Sequence, residues 1–280
     1  MKVYFFTYAD KRPDFIPHQL KSMQHFVNDD FELIIFDNAA FDEDSKAIQA
    51  ICKAHHLKYL RVDWPLFNGI KRKFRKYAAL ACAHPIQWSF HKYIKNYQNS
   101  ICSIIDSDMF FINHFSVTDY MRGYNIAAVK QNRGNVNYLW NGIMFFDISK
   151  LPAIDTMDFM LGKINGFSTD VGGKLYYWIN KNNDNIKLRN IRYTRQICYE
   201  NANMNAIPES YLNSYNQDYK IEIYEKTILH YGSGSNWKNN PVEYHKNKTE
   251  FVFNWVDDAI RQNIKLPEYE NTSIEDVWKY

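Results

Sequence analysis

The chain has little of what would tie it to a membrane, a disulfide scaffold or a nucleic acid. No apolar run approaches the roughly 18 residues that a bilayer-crossing helix needs. The first apolar segment, KVYFFTYA, meets Asp10, Lys11 and Arg12 too early for a signal peptide. A soluble, cytoplasmic protein with no transmembrane segment is therefore expected. Cysteine is scarce: Cys52, Cys82, Cys102 and Cys198 stand far apart with no CxxC pair, which argues against a disulfide framework and a zinc site. They are read as core or surface thiols. The Asn-x-Ser/Thr triplets at Asn247 and Asn271 carry no weight outside the secretory pathway. A surplus of one charge is also missing. The 34 basic residues against 31 acidic ones leave a net +3, too little to demand a nucleic-acid partner. Internal repeats, low-complexity tracts and clear linkers are absent.

What is present is apolar and aromatic. At 46% hydrophobic and 17% aromatic content, 280 residues bury a sizeable core. They fit one large α/β domain over residues 1–248 with a partly helical C-terminal extension at 249–280. Short apolar runs alternate with helical patterns, the signature of a mainly parallel sheet flanked by helices. Strands are predicted at KVYFFTYA, FELIIFD and KYLRVD, with a first helix over about residues 17–27. A second helix is predicted from Asp42 to His55, whose acidic start and later lysines suit the helix dipole. A long helical stretch over about residues 71–96 is expected to break at Pro85. SICSIIDSDMFFI, the most apolar run, is predicted as one strand in mid-sheet, followed by strands at NIAAVKQ and YLWNGIMFFDI. A helical region over about residues 153–182, late strands in IKLRNIRYT and KTILHYG, and one helix in the tail from about Thr249 complete the layout.

The chemistry concentrates in IIDSDMFF, where Asp106 and Asp108 follow a buried apolar run at positions i and i+2. In an extended chain such residues point to one side with backbones about 6.6 Å apart, at about 3.3 Å per residue. A hard cation with oxygen ligands at roughly 2 Å fits between their carboxylates. A turn or cap facing solvent is the bland alternative. Apolar sequence on both sides weighs against it, because two buried like charges are costly unless a cation or donor compensates them. Strand carboxyl ends are also where open α/β sheets bind ligands.

IIDSDMFFI resembles the Asp-x-Asp signature of the GT-A glycosyltransferases. YLWNGIMFFDISKL, STDVGGKLYYWI and ILHYGSGSNWK, in that order, resemble later elements of that family, so the likeness in layout covers roughly residues 1–240. It implies a GT-A type Rossmann-like fold and a divalent ion, Mn2+ or Mg2+, held by Asp106 and Asp108 with Ser107 between them. The implied partners are a nucleotide-sugar donor, UDP-sugar favoured and GDP-sugar possible, and a carbohydrate or glycolipid acceptor. It further implies that Trp140, Asn141 and Gly142 line the sugar pocket. An aromatic platform, an amide and a glycine that admits close approach suit a polyhydroxylated ring. A buried core strand is the alternative for Trp140.

HYGSGSNWK is similar to the late His-x-Gly…Lys-Pro-Trp element of retaining family-eight transferases. His230 then completes the metal site, Gly232 and the loop behind it close over phosphate, and Lys238 touches phosphate. Here Asn236-Trp237-Lys238 stands where that family has Lys-Pro-Trp. Thr7 and Tyr8 at the end of strand one and Asp37 at the end of strand two lie on the rim where this architecture holds base and ribose. Turn chemistry is the alternative for Asp37-Asn38. In KRKFRKY, Lys73 or Lys76 matches the basic residue that related transferases aim at the diphosphate. A solvated helix face, or peripheral contact with an anionic membrane surface, are the other readings. Asp170, at an expected helix start, is assigned to the acceptor side as general base or hydroxyl ligand, with an N-cap as the alternative.

Two rivals are weighed. A sugar-nucleotide pyrophosphorylase calls for a glycine-rich basic loop after strand one, and KVYFFTYADKRPDF contains no glycine. A catalytically inactive sugar-binding or scaffold protein on the same fold is the rival from another class.

Overall fold

A computed structural model describes residues 1–63, 78–195, 207–232 and 240–262. In chain order the strands are β1 (Val3–Ala9), β2 (Phe31–Asp37), β3 (Lys58–Arg61), β4 (Ile101–Ile105), β5 (Met109–Phe111), β6 (Ile126–Arg133), β7 (Val136–Asp147), β8 (Lys163–Ile164), β9 (Phe167–Ser168), β10 (Leu188–Asn190), β11 (Tyr193–Arg195), β12 (Glu222–Tyr224) and β13 (Ile228–His230). The α-helices are α1 (Phe15–Phe26), α2 (Asp42–Ala54), α3 (Ala78–Lys92), α4 (Val117–Tyr120), α5 (Leu175–Asn182), α6 (Glu209–Leu212) and α7 (Val242–Gln262). They fall into two compact units.

The first unit takes in Met1–Pro13, Asp29–Asp106 and Ser116–Asn190 and holds a seven-stranded sheet in the order β10-β6-β7-β4-β1-β2-β3. β1 runs parallel to β2 and to β4, β2 to β3, and β10 to β6, while β7 alone runs antiparallel, to β4 and β6. This is the mainly parallel α/β sheet that the alternating pattern predicts. β4 sits in the middle and all five of its residues are buried, which is why its sequence is apolar without alternation.

The expected break at Pro85 does not occur, and Pro85 lies inside α3. A proline there leaves the carbonyl four residues earlier without its helical donor. That carbonyl belongs to Ala81, and the side-chain amide of Asn38 donates to it at 2.9 Å. The helical region expected over residues 153–182 is mostly irregular, with a single 3-10 turn at Ile154–Thr156 and α-helix only from Leu175. Asn165 (φ 48°) and Gly166 (φ 87°) form the tip of the β8–β9 hairpin, and Gly172 (φ 81°) is likewise left-handed, so no helix can pass through.

The second unit comprises Asp14–Asn28, Ser107–Phe115 and the described residues from Ile191 onward. Its sheet is four-stranded and antiparallel, ordered β11-β12-β13-β5. The run SICSIIDSDMFFI is thus two strands, β4 and β5, in different sheets, and IKLRNIRYT likewise splits into β10 and β11. The tail helix begins earlier than expected. α7 starts at Val242 and runs unbroken through residues 248 and 249, burying His245, Lys248, Phe251, Val252, Trp255, Val256 and Ala259 at helical spacing. It packs on α1, where His18 stacks on Phe253 with ring centres 3.6 Å apart and Lys21 pairs with Asp257 at 2.8 Å.

Among the described residues no helix is long and apolar enough to cross a membrane. Of the described cysteines, Cys52 and Cys102 are buried, Cys82 is exposed, and none is in a disulfide. Cys198 lies outside the described residues.

Candidate metal and donor site

The chain turns at Asp106–Asp108 where an extended strand was predicted. Two main-chain bonds pin the turn. The Asp106 N–H donates to the Gly142 carbonyl at 2.8 Å, and the Asp108 carbonyl accepts from the Tyr231 N–H at 2.8 Å. β13 pairs with β5 so that His230 stands opposite Met109, the residue after Asp108. One carboxylate oxygen from each aspartate and one imidazole nitrogen of His230 consequently lie within 4.8 Å of one another. Asp108 and His230 are only 8% and 7% exposed.

His230 bridges two acids. Its Nε2 is 3.4 Å from Asp108 Oδ1, and its Nδ1 is 3.0 Å from Glu222 Oε2. Burial alone pushes the imidazole pKa down, but the Asp108 and Glu222 carboxylates outweigh it and push it up to about 10. What favours a proton there favours positive charge of any kind. Two carboxylates and one imidazole, with no thiolate, suit a hard or borderline divalent ion such as Mg2+ or Mn2+. Three protein ligands would leave coordination positions for oxygens of a ligand or of water. Sequence reasoning missed Glu222, because its role depends on the β12–β13 register, which places it directly opposite His230.

In the first unit, the segments around Trp140 and Asp170 come together. The β6–β7 ladder pairs Ala128 with Met144 and then Val129 with Trp140, so Asn141, Gly142 and Ile143 bulge out of it. Bulges of this kind re-aim side chains and gather beside functional sites. A Cβ on Gly142 would fall 2.1 Å from the Trp140 indole, so glycine is what lets the half-buried ring fold over the bulge. Asn141 is 1% exposed, and its Oδ1 has no hydrogen-bond partner among the described residues. Gly172 presses on the same stretch, where a Cβ would fall 2.1 Å from the Leu139 carbonyl oxygen. Asp170 does not begin a helix. It opens the turn before Leu175, with its Oδ1 accepting from the Val171 N–H at 2.8 Å and its own N–H donating to the Tyr138 hydroxyl at 3.2 Å.

The strand-end candidates separate. Tyr8 is half-buried, its hydroxyl 2.6 Å from Ser89 Oγ and its ring stacked on Phe36. Burial first, and then the charge of Asp106, raises its hydroxyl pKa. Thr7 is fully buried in β1, away from solvent. Asp37 is also fully buried, and four donors of its own chain surround it. Oδ1 meets the Ala39 N–H at 2.7 Å and the Arg61 guanidinium at 2.5 Å, while Oδ2 accepts from Ser45 at 2.5 Å and Tyr59 at 2.7 Å. That fills a carboxylate's lone pairs, so a ribose hydroxyl would have to displace one of them.

Ser107 is half-buried in the Asp106–Asp108 turn. Gly232 is left-handed (φ 73°), and its carbonyl accepts from the buried Lys248 ammonium at 2.9 Å, a residue that sequence reasoning had passed over. Lys73, Lys76 and Lys238 lie outside the described residues.

No known protein family and no curated protein matches the sequence. Solved structures do. The mannosyltransferase PcManGT from Pyrobaculum calidifontis, in complex with GDP-Man and Mn2+, is 13% identical over 66% of this chain, with a TM-score of 0.42. The match takes in 53% of PcManGT, so this chain spans about half of its length. The galactosyltransferase LgtC, in complex with donor and acceptor sugar analogs, is 11% identical over 67% of this chain and 66% of its own, at a TM-score of 0.35. The apo-form glycosyltransferase GlyE of Streptococcus pneumoniae is 13% identical over 94% of this chain and 64% of its own, at 0.42. Likenesses this distant leave the fold resting on its own strand order and register, and the chemistry on the residues above.

Proposed function

We propose that the chain is a metal-dependent glycosyltransferase that moves a sugar from a nucleoside-diphosphate sugar, UDP-linked by preference, to a hydroxyl of a carbohydrate or glycolipid acceptor. The observation that carries this reading is the gathering of Asp106, Asp108 and His230 ligand atoms within 4.8 Å. These three side chains would hold Mn2+ or Mg2+. When bound, the ion supplies a Lewis acid that neutralises the leaving diphosphate.

The remaining roles belong to the chain itself. The bulge at Trp140–Gly142 lines the sugar pocket, and the unmatched buried Oδ1 of Asn141 is an acceptor suited to a sugar hydroxyl. Tyr8, with its hydroxyl tied to Ser89, is left to offer ring surface to a base, with Thr7 behind it in β1. Asp37 serves the rim by fixing the ends of β2 and β3 through Tyr59 and Arg61. Gly232, Ser107 and the lysines Lys73, Lys76 and Lys238 contact the donor. Asp170 acts on the acceptor. In an inverting reaction its carboxylate takes the acceptor proton, and in a retaining one it orients the hydroxyl.

Calorimetry on the full chain with a panel of UDP- and GDP-sugars, with Mn2+, with Mg2+ or with chelator, tests this, alongside assay of nucleotide release. One donor should bind only with the ion and be hydrolysed slowly without acceptor. Binding without any turnover on a broad acceptor panel would instead support an inactive sugar-binding protein. Failure of every donor to bind with either ion would reject both readings.

A further inference from the structure

A histidine offers a metal one of its two ring nitrogens, and the group that holds the other nitrogen decides which. β12 and β13 pair antiparallel with Glu222 directly opposite His230, so the two side chains leave one face of the sheet together. Glu222 Oε2 lies 3.0 Å from His230 Nδ1. The same oxygen accepts from the Tyr224 hydroxyl at 2.6 Å, and Tyr224 stands two residues along β12 on that face. An ionised carboxylate only accepts, so the hydrogen in the contact with His230 resides on Nδ1. Nε2 is then the nitrogen turned toward Asp108, at 3.4 Å from its Oδ1.

We infer that Glu222 is the positioning residue of the metal centre: it keeps the proton on His230 Nδ1 and so presents Nε2 as the ligand atom, while Tyr224 fixes the Glu222 carboxylate. This rests on the metal-dependent reading above. Three features separate it from an ordinary cross-strand pair. The histidine nitrogen not held by Glu222 faces a second carboxylate. All the groups are largely buried, with the Glu222 and His230 side chains only 13% and 9% exposed. The strand that carries His230 also pairs with β5, which begins immediately after Asp108, so the sheet that orients the ring also places the acid. A pair that served the sheet alone would be indifferent to any ion.

The test is Mn2+ titration of the intact chain followed by electron paramagnetic resonance, comparing Glu222→Ala, Glu222→Gln, Tyr224→Phe and Asp108→Asn. Glu222→Ala should weaken Mn2+ binding about 10- to 100-fold, the usual effect of removing a group behind a metal-bound histidine. Glu222→Gln, whose amide oxygen still accepts from Nδ1, should recover most of that, and Tyr224→Phe should lose less than Glu222→Ala. A second measurement needs no change at Glu222. Imidazole nitrogen NMR of the unaltered chain with Mg2+, with the His230 signal identified by its loss in His230→Asn, should show the hydrogen on Nδ1. A hydrogen on Nε2 there would overturn the inference. So would parent-like Mn2+ affinity in Glu222→Ala beside a clear loss in Asp108→Asn, and that result would leave the metal reading standing. Unchanged affinity in both variants would instead remove the metal reading, and the positioning role with it.

Discussion

Asp37, the last residue of β2, and Asp108, the residue before β5, are both closed off from water, at 0% and 8% exposure. Their surroundings differ in kind. Asp37 is met by a guanidinium, two hydroxyls and a main-chain N–H, all from the segment that follows it in the sequence. Asp108 shares the imidazole of His230 with a second acid, Glu222, and stands within 4.8 Å of a third ligand atom, on Asp106. Fixed donors turn a buried carboxylate into scaffold. A cluster in which carboxylates outnumber bases is arranged for positive charge from outside, because a buried like-charged pair is costly without it. The contrast tells the two aspartates apart, although both follow apolar runs in the sequence.

The sharpest way to break that contrast is at the acid cluster. Asp106→Asn and Asp108→Asn keep side-chain shape and remove a charged ligand. Mn2+ affinity should fall by more than the roughly 10- to 100-fold expected for a residue standing behind a ligand. Thermal stability should fall much less than metal affinity: Asp106→Asn only relieves like charge, whereas Asp108→Asn also removes one of the two carboxylates that favour the protonated His230 ring. Calorimetry and thermal melts read the two quantities separately, and unchanged Mn2+-dependent nucleotide binding in both variants would remove the centre altogether.

Asp170 lies between the two extremes, half-buried with one oxygen on the Val171 N–H. Asn can make the same contact through its amide oxygen, so Asp170→Asn should fold normally. If Asp170 takes the acceptor proton, turnover falls about 10²- to 10⁴-fold with donor binding intact. Near-normal transfer at saturating donor and acceptor would assign it to the turn alone.

At Asp37 the expected loss is in stability. Asp37→Asn leaves Arg61 without its charge partner, and breaking a buried pair in this way costs about 3–5 kcal/mol. Arg61 is 33% exposed on its side chain, so solvent relieves part of the cost and the lower end of that range applies. Urea titration measures this, while Mn2+ affinity of the folded protein should stay at the parent value. A stable variant with weakened donor binding would reverse the assignment and return Asp37 to the ribose.

These differences explain what could be read in advance. β1, β2, β3 and α2 were legible because their apolar periodicity or terminal charges are local properties, and the acid pair because it interrupts an apolar run. The turn that divides β4 from β5 was not, since Asp106-Ser107-Asp108 reads equally as an extended i, i+2 pair until its partners, the Gly142 carbonyl and the Tyr231 N–H, are known. Asn165-Gly166 is a strong hairpin signal that the surrounding apolar pattern obscured. The Ala81 carbonyl that Pro85 leaves without a helical donor is satisfied by Asn38, and Glu222 meets His230 through a strand pairing, so both features involve contacts distant in the sequence.

The smallest effect is expected at Asp29, which solves the same problem by a third route. Its carboxylate accepts from the N–H groups of Val117 at 2.6 Å and Thr118 at 3.2 Å and from the Ser116 hydroxyl at 3.2 Å, at the start of α4. These are first-turn donors that the helix cannot satisfy itself, and the helix dipole favours an anion there. Ser116 caps the same end independently, its Oγ accepting from the Asp119 N–H at 3.1 Å, so losing Asp29 leaves one cap in place. Asp29→Ala should therefore cost about 1 kcal/mol, in the middle of the range for a lost cap. Asp29→Asn, which still accepts but carries no charge, should cost only the dipole part, about 0.3–1 kcal/mol. Neither change should alter Mn2+ or nucleotide affinity. Urea titrations run beside Asp37→Asn test the ranking directly: if Asp29→Ala proved as damaging as Asp37→Asn, main-chain N–H groups would hold a carboxylate as firmly as a buried guanidinium does, and the distinction drawn between scaffold acids by their donors would collapse.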